Sequence, residues 1–240
     1  MKTASVVIRT KNEEKWIGKC LKAVFSQTFR DFAETSSHLT PLSVSQSSAF
    51  EVIVVDNGSV DKTLAIAKKF SVKIVVHKEK IWRPGKAINV GIKKSKGKYT
   101  ALLSGHCVPL NNSWLSDLVS EIKKPKVAGV YGRQLPLANS SPLDKQDLLM
   151  FFGKDPLVQT KGHFFYFDNA NSIIKRSVWE KMPFDEKVSH KENITWGRDV
   201  VQKGYRILYT PKAKVYHWHG INHAGNVKRA KEVVKVLEKL

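Results

Sequence analysis

The sequence predicts an α/β protein with a Rossmann-like, mostly parallel sheet flanked by helices. Short β-branched runs alternate along the first half of the chain with segments whose apolar residues recur every three or four positions. The run Val52 to Val55 is apolar throughout, which is typical of a strand buried on both faces of a parallel sheet. This alternation predicts βαβ units with right-handed crossovers in one doubly wound sheet.

The first predicted strand is Ala4 to Thr10, and a helical pattern from Trp16 to Phe25 follows it. Thr10, Asn12 and Glu13 would then lie at or just beyond a strand tip. Helix capping by Asn12, with acidic residues in the first turn, is a simpler interpretation of part of this stretch.

The central strand, Val52 to Val55, ends abruptly in Asp56-Asn57-Gly58-Ser59, and an amphipathic helix follows from Thr63. Ligands of open α/β sheets bind outside the carboxyl ends of the strands. Asp56 would therefore share a crevice with the tip of the first strand. Turn formation is an equal alternative, because Asp, Asn, Gly and Ser all favour turns.

A third strand is predicted over Val72 to Val76 and a fourth over Tyr99 to Leu103, where the chain continues as Ser104-Gly105-His106. Between these strands, a loop with Arg83 and Lys86 leads into a helix. A helix N-terminus with flanking cations is a natural diphosphate site. An exposed basic loop before an ordinary helix is the alternative interpretation.

The charge balance favours polyanionic partners. The 240 residues include 41 Lys and Arg against 21 Asp and Glu, a net charge of +20. Phosphorylated substrates and anionic lipid surfaces both fit this excess, as does a merely solvated lysine-rich surface. The lysines are spread along the whole chain without a recognisable nucleic-acid-binding motif, so no nucleic-acid partner is expected.

The sequence also contains features that predict the cellular location of the protein. The sequence contains no apolar run near the roughly 20 residues that cross a bilayer, and its first residues lack a signal-peptide pattern. Cys20 and Cys107 lie far apart, which favours reduced thiols. These features predict a cytoplasmic protein, with peripheral contact at the inner face of the membrane as an open option.

Five ordered stretches carry a family resemblance: SVVIRTKNEEKWIGKCL, FEVIVVDNGSVDKT, RPGKAINVGIKKSKGKYTALLSGHCVPLNNSWL, FDNANSIIKRSVWEKMPF and HKENITWGRDVVQKGYRILYTPKAKVYHWHG. In this order they resemble the inverting family 2 glycosyltransferases with the GT-A fold, over essentially the whole length. The resemblance implies transfer of a sugar from a nucleotide-diphosphate sugar to a glycan or lipid-linked acceptor.

The resemblance also implies a domain organisation. Residues 1–225 would form a single GT-A domain, with a nucleotide-sugar half over 1–110 and an acceptor half over 111–225. The serine-rich stretch 34–49 is interpreted as an inserted polar loop. Residues 226–240 form a basic amphipathic pattern, predicted to be a helix that packs on the domain or lies on an anionic membrane surface.

The resemblance assigns residues to the nucleotide sugar and to the acceptor. The predicted nucleotide-sugar-binding residues are Thr10, Asn12, Glu13, Asp56, Arg83, Lys86 and His106. Among them, Asp56 is expected to meet the base. Asn169 and Asn171 are expected to hydrogen-bond sugar hydroxyls. Trp196 is expected to stack on a sugar face, although a tryptophan in such a pattern is more often part of a core.

One departure from the family pattern concerns a divalent metal, either Mn²⁺ or Mg²⁺. The family ends its fourth strand in Asp-x-Asp, whereas this sequence has Ser104-Gly105-His106. Hard cations such as Mg²⁺ prefer oxygen ligands, and one imidazole beside a hydroxyl is a poor substitute. One interpretation is that His106 binds a softer ion such as Mn²⁺ with His217 or His219, which resemble a metal-site histidine of some relatives.

Two other interpretations of this departure stay open. Arg83, Lys86 and Arg133 could neutralise the leaving diphosphate without a metal, as preorganised cations can. Alternatively, the protein has lost catalysis and binds a nucleotide sugar or glycan on the same fold. Cys107 beside His106 also permits zinc, but a His-Cys pair without other spaced ligands is a weak signal.

The second departure concerns the general base. Relatives carry Glu-Asp where this sequence has Glu192-Asn193, and an amide does not accept a proton at neutral pH. Inverting transfer needs a base near the acceptor hydroxyl. Glu192 is the predicted catalytic base, with Asp199 and then Asp185 as alternatives. A surface or capping role is the simpler interpretation of Glu192.

Overall fold

The computed structural model describes residues 2–29, 50–81, 83–162, 166–188 and 191–220. The predicted polar loop 34–49 and the predicted C-terminal helix 226–240 lie outside the described residues.

The structure alternates strands and helices throughout its first half, as predicted. In chain order the elements are β1 (Ala4–Thr10), α1 (Ile17–Phe25), β2 (Phe50–Asp56), α2 (Thr63–Ala67), β3 (Lys73–Val76), α3 (Pro84–Lys94), β4 (Tyr99–Ser104), β5 (Cys107–Pro109), α4 (Trp114–Ile122), β6 (Val127–Pro136), α5 (Pro142–Phe151), β7 (Leu157–Gln159), β8 (Asn171–Lys175), α6 (Arg176–Trp179), α7 (Glu192–Gln202) and β9 (Arg206–His217).

Within the described ranges, the strands form one nine-stranded sheet in the order β3-β2-β1-β4-β8-β6-β9-β5, with β7 paired to β9. The pairs among β1, β2, β3 and β4 are parallel, and β6 is parallel to β9. β8 runs antiparallel to both β4 and β6, and β5 and β7 run antiparallel to β9. The predicted mostly parallel sheet is confirmed, with β8 inserted between its two parallel parts.

β1 lies between β2 and β4 in the sheet. Both of its faces bury apolar side chains, as its β-branched run predicts. Val6 and Ile8 pack in one core layer with Ile17 and Leu21 of α1. Val7 points the other way, into the layer that contains α3 and α7. Successive strand residues point to opposite faces, so β1 stabilises both layers at once.

The register brings the strand tips together. Thr10 at the end of β1 lies opposite Asp56 on β2, and Arg9 lies opposite Ser104 on β4. Three neighbouring strands therefore end along one edge of the sheet, at which ligands of parallel sheets bind. None of the helices in the described ranges has the length and apolar content that a membrane crossing needs.

Candidate active site

A cavity of about 290 Å³ opens at the carboxyl ends of β1 and β4. Both halves of the chain line it. The lining residues are Arg9, Thr10, Lys11, Glu13, Pro84, Ser104, His106, Gln134, Tyr166, Asp168, Asn169, Ala170, Lys191, Glu192, Asn193, His217, His219 and Gly220. The cavity therefore joins the predicted nucleotide side of the sheet to the predicted acceptor side.

A cluster of three histidines forms one wall of the cavity. His106 follows β4, whereas His217 ends β9 and His219 lies two residues beyond it. Their ring centroids are 4.9 Å apart for His106 and His217, 4.8 Å for His106 and His219, and 4.3 Å for His217 and His219. Pairing between β5 and β9 holds these distant residues together, with Cys107 opposite His217.

Two polar side chains contact this cluster. Nδ1 of His106 lies 2.6 Å from Oε1 of Glu13, and Nδ1 of His217 lies 2.5 Å from Oε1 of Gln134. Partners of this kind fix the orientation of an imidazole ring. Glu13, which was predicted to line a nucleotide pocket, is therefore also the carboxylate of the histidine cluster.

Gly105 permits the close approach of β4 to β1. Its backbone N–H donates to the carbonyl of Arg9 at 2.8 Å. A Cβ at this position would lie 2.9 Å from Oγ1 of Thr10 and 3.2 Å from the Arg9 carbonyl oxygen. A larger residue would thus push His106 away from the β1 tip.

A buried polar chain crosses the opposite wall of the cavity. Nη2 of Arg9 donates to Oδ1 of Asn169 at 2.8 Å and to Oγ of Ser104 at 3.2 Å. Nδ2 of Asn169 in turn donates to Oε1 of Glu192 at 2.5 Å. Oε2 of Glu192 is buried and has no hydrogen-bond partner among the described residues. Burial raises the pKa of Glu192, against the lowering effect of Arg9 and Asn169.

Asp168 is a third carboxylate in the cavity lining, beside Glu13 and Glu192. It accepts from the hydroxyl of Tyr166 at 3.0 Å and from the backbone N–H of Ala170 at 2.7 Å. Asn193 also lines the cavity, but its Nδ2 donates to the Phe167 carbonyl at 2.5 Å. Asn193 thus makes a structural hydrogen bond at the position where the family resemblance leads us to expect an aspartate.

Asp56 and Asn12 make hydrogen bonds within the turns that follow β2 and β1 beside the cavity. Asp56 is fully buried and accepts from the N–H and the hydroxyl of Ser59. Asn12, at φ 54°, accepts from Val60 N–H at 2.9 Å and donates its own N–H to Ser59 Oγ. These bonds tie the β1 and β2 tips into one rim, and contact of Asp56 with a base stays a prediction.

Several predicted residues lie away from the cavity. The indole of Trp196 is only 3 % exposed, packs between Phe167 and Phe184, and donates to the carbonyl of Met182. Its burial leaves no ring face for a sugar, which corrects the stacking expectation. Asn171 is fully buried, and its amide accepts from the indole of Trp114 and donates to main-chain carbonyls.

The remaining predicted cations and carboxylates do not line this cavity, and the diphosphate role of Arg83 and Lys86 at the start of α3 stays a prediction. Lys86 is paired with Glu79 at 2.6 Å, and Arg133 donates to the carbonyl of Phe152. Arg83 occupies the N-cap position of α3 without a side-chain capping bond, and it does not line the cavity. Asp199 is paired with Arg198 on the surface of α7, and Asp185 accepts from Lys187 N–H. Neither alternative base lines the cavity.

Sequence reasoning missed the residues that connect the predicted ones. Arg9, Lys11 and Lys191 line the cavity as cations, and Asp168 lines it as an acid. One signal was available for Arg9, because it is a lone charge inside an otherwise uncharged buried strand. Lys191 adopts the left-handed conformation at φ 63° immediately before α7, which the sequence did not indicate.

The family model for "Glycosyl transferase family 2" matches residues 5–182 of this chain. The chain belongs to glycosyltransferase family 2. The match begins within β1 and ends just after α6, so it includes the strand tips that form one side of the cavity.

Known relatives agree with this family and fold. Glycosyltransferase AglE of Haloferax volcanii is 38% identical over 213 residues, which are 85% of this chain and 63% of AglE. O-antigen chain rhamnosyltransferase WbaN of Salmonella anatum is 25% identical over 178 residues, which are 70% of this chain and 56% of WbaN. The chain thus spans less than two thirds of either relative.

A solved structure shows the same architecture. The mannosyltransferase PcManGT of Pyrobaculum calidifontis, in complex with GDP-Man and Mn²⁺, superposes with a TM-score of 0.68 at 17% identity. The superposition covers 98% of this chain and 63% of that one. The predicted GT-A fold is confirmed for this family 2 chain.

The family implies a divalent metal, and the donor set decides which kind fits. Ligand atoms of His106, Cys107 and His217 all lie within 4.8 Å of one another. Imidazole nitrogen and thiol sulfur suit transition metals and are poor ligands for Mg²⁺. The residues therefore fit a softer ion, and they do not reproduce a carboxylate site for Mg²⁺.

Proposed function

We propose that this family 2 chain transfers a sugar, with inversion, from a nucleotide-diphosphate sugar to a glycan or lipid-linked acceptor. One observation carries the proposal: a buried carboxylate, Glu192, and a histidine cluster line the same cavity at the strand tips. Inverting transfer needs a base for the acceptor and charge neutralisation for the leaving diphosphate, and the cavity offers groups for both.

The reaction assigned to the cavity is a single displacement. Glu192 accepts the proton of the acceptor hydroxyl while that oxygen forms a bond to the anomeric carbon. The bond from this carbon to the diphosphate oxygen breaks, and its electron pair leaves with the nucleoside diphosphate. A raised pKa makes Glu192 a stronger base than an ordinary glutamate, provided that it is ionised.

A divalent ion would be held by His106, Cys107 and His217, with His219 and Glu13 beside them. When bound, such an ion supplies positive charge beside the leaving diphosphate. The cavity cations Arg9, Lys11 and Lys191 add charge of the same sign from the protein itself. The expected partners are thus an anionic donor and an acceptor with a free hydroxyl.

The donor and the metal are tested together by thermal stabilisation. A ligand that binds only the folded protein raises the melting temperature by mass action. We expect one of UDP, GDP, dTDP or CMP donors to stabilise the chain in Mn²⁺ or Zn²⁺ more than in Mg²⁺ or EDTA. Stabilisation that is equal in EDTA would exclude the metal, and no shift with any donor would favour a non-catalytic glycan-binding protein.

The metal ligands are tested by His106→Ala. Removing this imidazole is expected to weaken metal-dependent nucleotide binding at least about ten-fold, because loss of an outer-shell partner alone typically costs that much and His106 would be a direct ligand. Titration calorimetry measures the affinity. His77→Ala is the matched control, since His77 pairs with Glu79 and does not line the cavity. Equal affinities in the two variants would remove His106 from the metal site.

A further inference from the structure

Arg9 is an unusual residue for its position. It lies in the central strand β1, its side chain is 9% exposed, and it is the single charged residue of that strand. Burying an unpaired guanidinium is costly, so its partners must offset the lost hydration. Its Nη2 donates to Ser104 Oγ and to both oxygens of Asn169. Its Nε has no partner within the described part of the chain.

The chain of hydrogen bonds that runs from Arg9 through Asn169 to Glu192 has a fixed donor-to-acceptor direction. A guanidinium only donates, so Oδ1 of Asn169 must face Arg9. Nδ2 of Asn169 then points at Oε1 of Glu192, which as a carboxylate only accepts. The reversed amide would place a donor against a donor and an acceptor against an acceptor. Arg9 therefore sets the orientation of the amide that holds Glu192.

We propose that Arg9 is a positioning residue for the catalytic base, acting through Asn169 to hold Glu192 ionised with Oε2 left for the acceptor hydroxyl. This inference rests on the proposed role of Glu192. In this role Arg9 controls whether the base is protonated. That role differs from a structural part in β1 and from neutralising the charge of the diphosphate.

The charges around Glu192 support this assignment. Burial raises the pKa of Glu192, and Asp168 raises it further by repulsion. The positive charge of Arg9 and the bond from Asn169 lower it. On the α3 side, Gly85 packs against the stem of Glu192 and adds no charge. Lys191 precedes Glu192 at the start of α7 and is a second cation of the cavity lining.

The test compares Arg9→Gln with Arg9→Lys. Gln keeps a hydrogen-bond donor for Asn169 without the charge, whereas Lys keeps the charge without the planar fork. The carboxyl group of Glu192 is followed by ¹³C NMR against pH in the glutamate-labelled protein and assigned by its absence in Glu192→Gln. This readout does not depend on activity.

In Arg9→Gln, the midpoint of the Glu192 titration is expected to rise by about one pH unit or more, because an opposite charge nearby shifts a carboxyl pKa by that order. The acid limb of kcat/KM should move upward with it, so that below the limb kcat/KM falls about ten-fold for each unit. Arg9→Lys should lie between the parent and Arg9→Gln. A midpoint in Arg9→Gln equal to the parent's overturns the inference.

A matched control separates this effect from lost stability. Arg176 also donates to main-chain carbonyls, those of Ile92 and Ser95, but it does not line the cavity. Arg176→Gln should lower stability and leave the Glu192 midpoint and the acid limb in place. An acid limb that moves equally in Arg176→Gln would show a general structural effect and contradict the role of Arg9.

The two proposals fail in different ways. If Glu192→Gln transfers sugar at the parental rate, Glu192 is not the base, and the NMR midpoint still decides whether Arg9 controls its charge. If Glu192→Gln is inactive but the midpoint and acid limb of Arg9→Gln stay at the parental pH, only the inference about Arg9 is wrong.

Discussion

Asn193 illustrates how a single side chain can redirect an assignment. The family resemblance places a catalytic aspartate at this position, yet the amide donates to the carbonyl of Phe167 at 2.5 Å. A carboxylate here would set two oxygens against each other. The proposed mechanism therefore takes its base from another residue, and Glu192 is the neighbouring carboxylate that lines the cavity.

Asn193→Asp is expected to lower the free energy of unfolding by about 1 kcal/mol, because it replaces a half-buried donor with an acceptor that faces another acceptor. It should not raise the rate of sugar transfer. Urea unfolding measures the stability, and release of nucleoside diphosphate measures the rate. A faster and equally stable Asn193→Asp would show that the base belongs at this position after all.

Trp196→Phe tests whether the indole belongs to the core. The substitution removes the bond to the Met182 carbonyl and leaves a gap beside Phe167 and Phe184. We expect a loss of about 2 kcal/mol in the free energy of unfolding and an unchanged KM for the donor. A raised KM with parental stability would restore the sugar-stacking role of Trp196.

At the scale of elements, three tyrosines pack together between the sheet and the C-terminal end of α5. Tyr131 of β6 lies 5.0 Å from Tyr209 of β9 and 5.5 Å from Tyr166, between ring centroids. Burial raises the pKa of all three hydroxyls, that of Tyr209 to about 12. The folded protein thus keeps these three hydroxyls protonated at a pH at which the same tyrosines of the unfolded chain lose their hydroxyl protons.

The sign of the pH dependence follows from these protons. Between the ordinary tyrosine pKa of about 10 and the folded value, the unfolded state binds fewer protons, so stability falls as the pH rises. Urea unfolding at pH 9, 10 and 11 should show this decline. Tyr209→Phe should show a shallower one, because it removes one of the three titrations. The same slope in both proteins would contradict the contribution of Tyr209.

The elements predicted from the sequence are those with strong local patterns. β1, β2 and β4 each contain a short run of buried apolar residues, and α1 and α3 follow a helical period. β6 was missed because two glycines interrupt its apolar pattern. Gly132 is needed there because a Cβ would lie 2.2 Å from the Ala213 carbonyl. The antiparallel direction of β8 depends on long-range pairing, which no local pattern encodes.

At the scale of the molecule, the candidate site combines residues that are far apart in the sequence. The family resemblance indicated His106, His217 and Glu192 one by one, and the structure places all three at one cavity. Contacts such as Arg9 with Asn169 could not be predicted, because they depend on how β1 and the segment before β8 meet in three dimensions. The stacking role predicted for Trp196 was wrong because the residue type suggested a sugar platform, whereas the side chain is buried in the core.

The most direct test of the account is the rate of sugar transfer by Glu192→Gln, measured beside its nucleotide affinity. The donor is the one selected by thermal stabilisation, and extracted lipid-linked glycans serve as acceptors. We predict a fall in kcat by about 10²- to 10⁴-fold, the usual contribution of a general base, with nucleotide affinity retained. Transfer within a few-fold of the parental rate would contradict the claim that this cavity performs glycosyl transfer through Glu192.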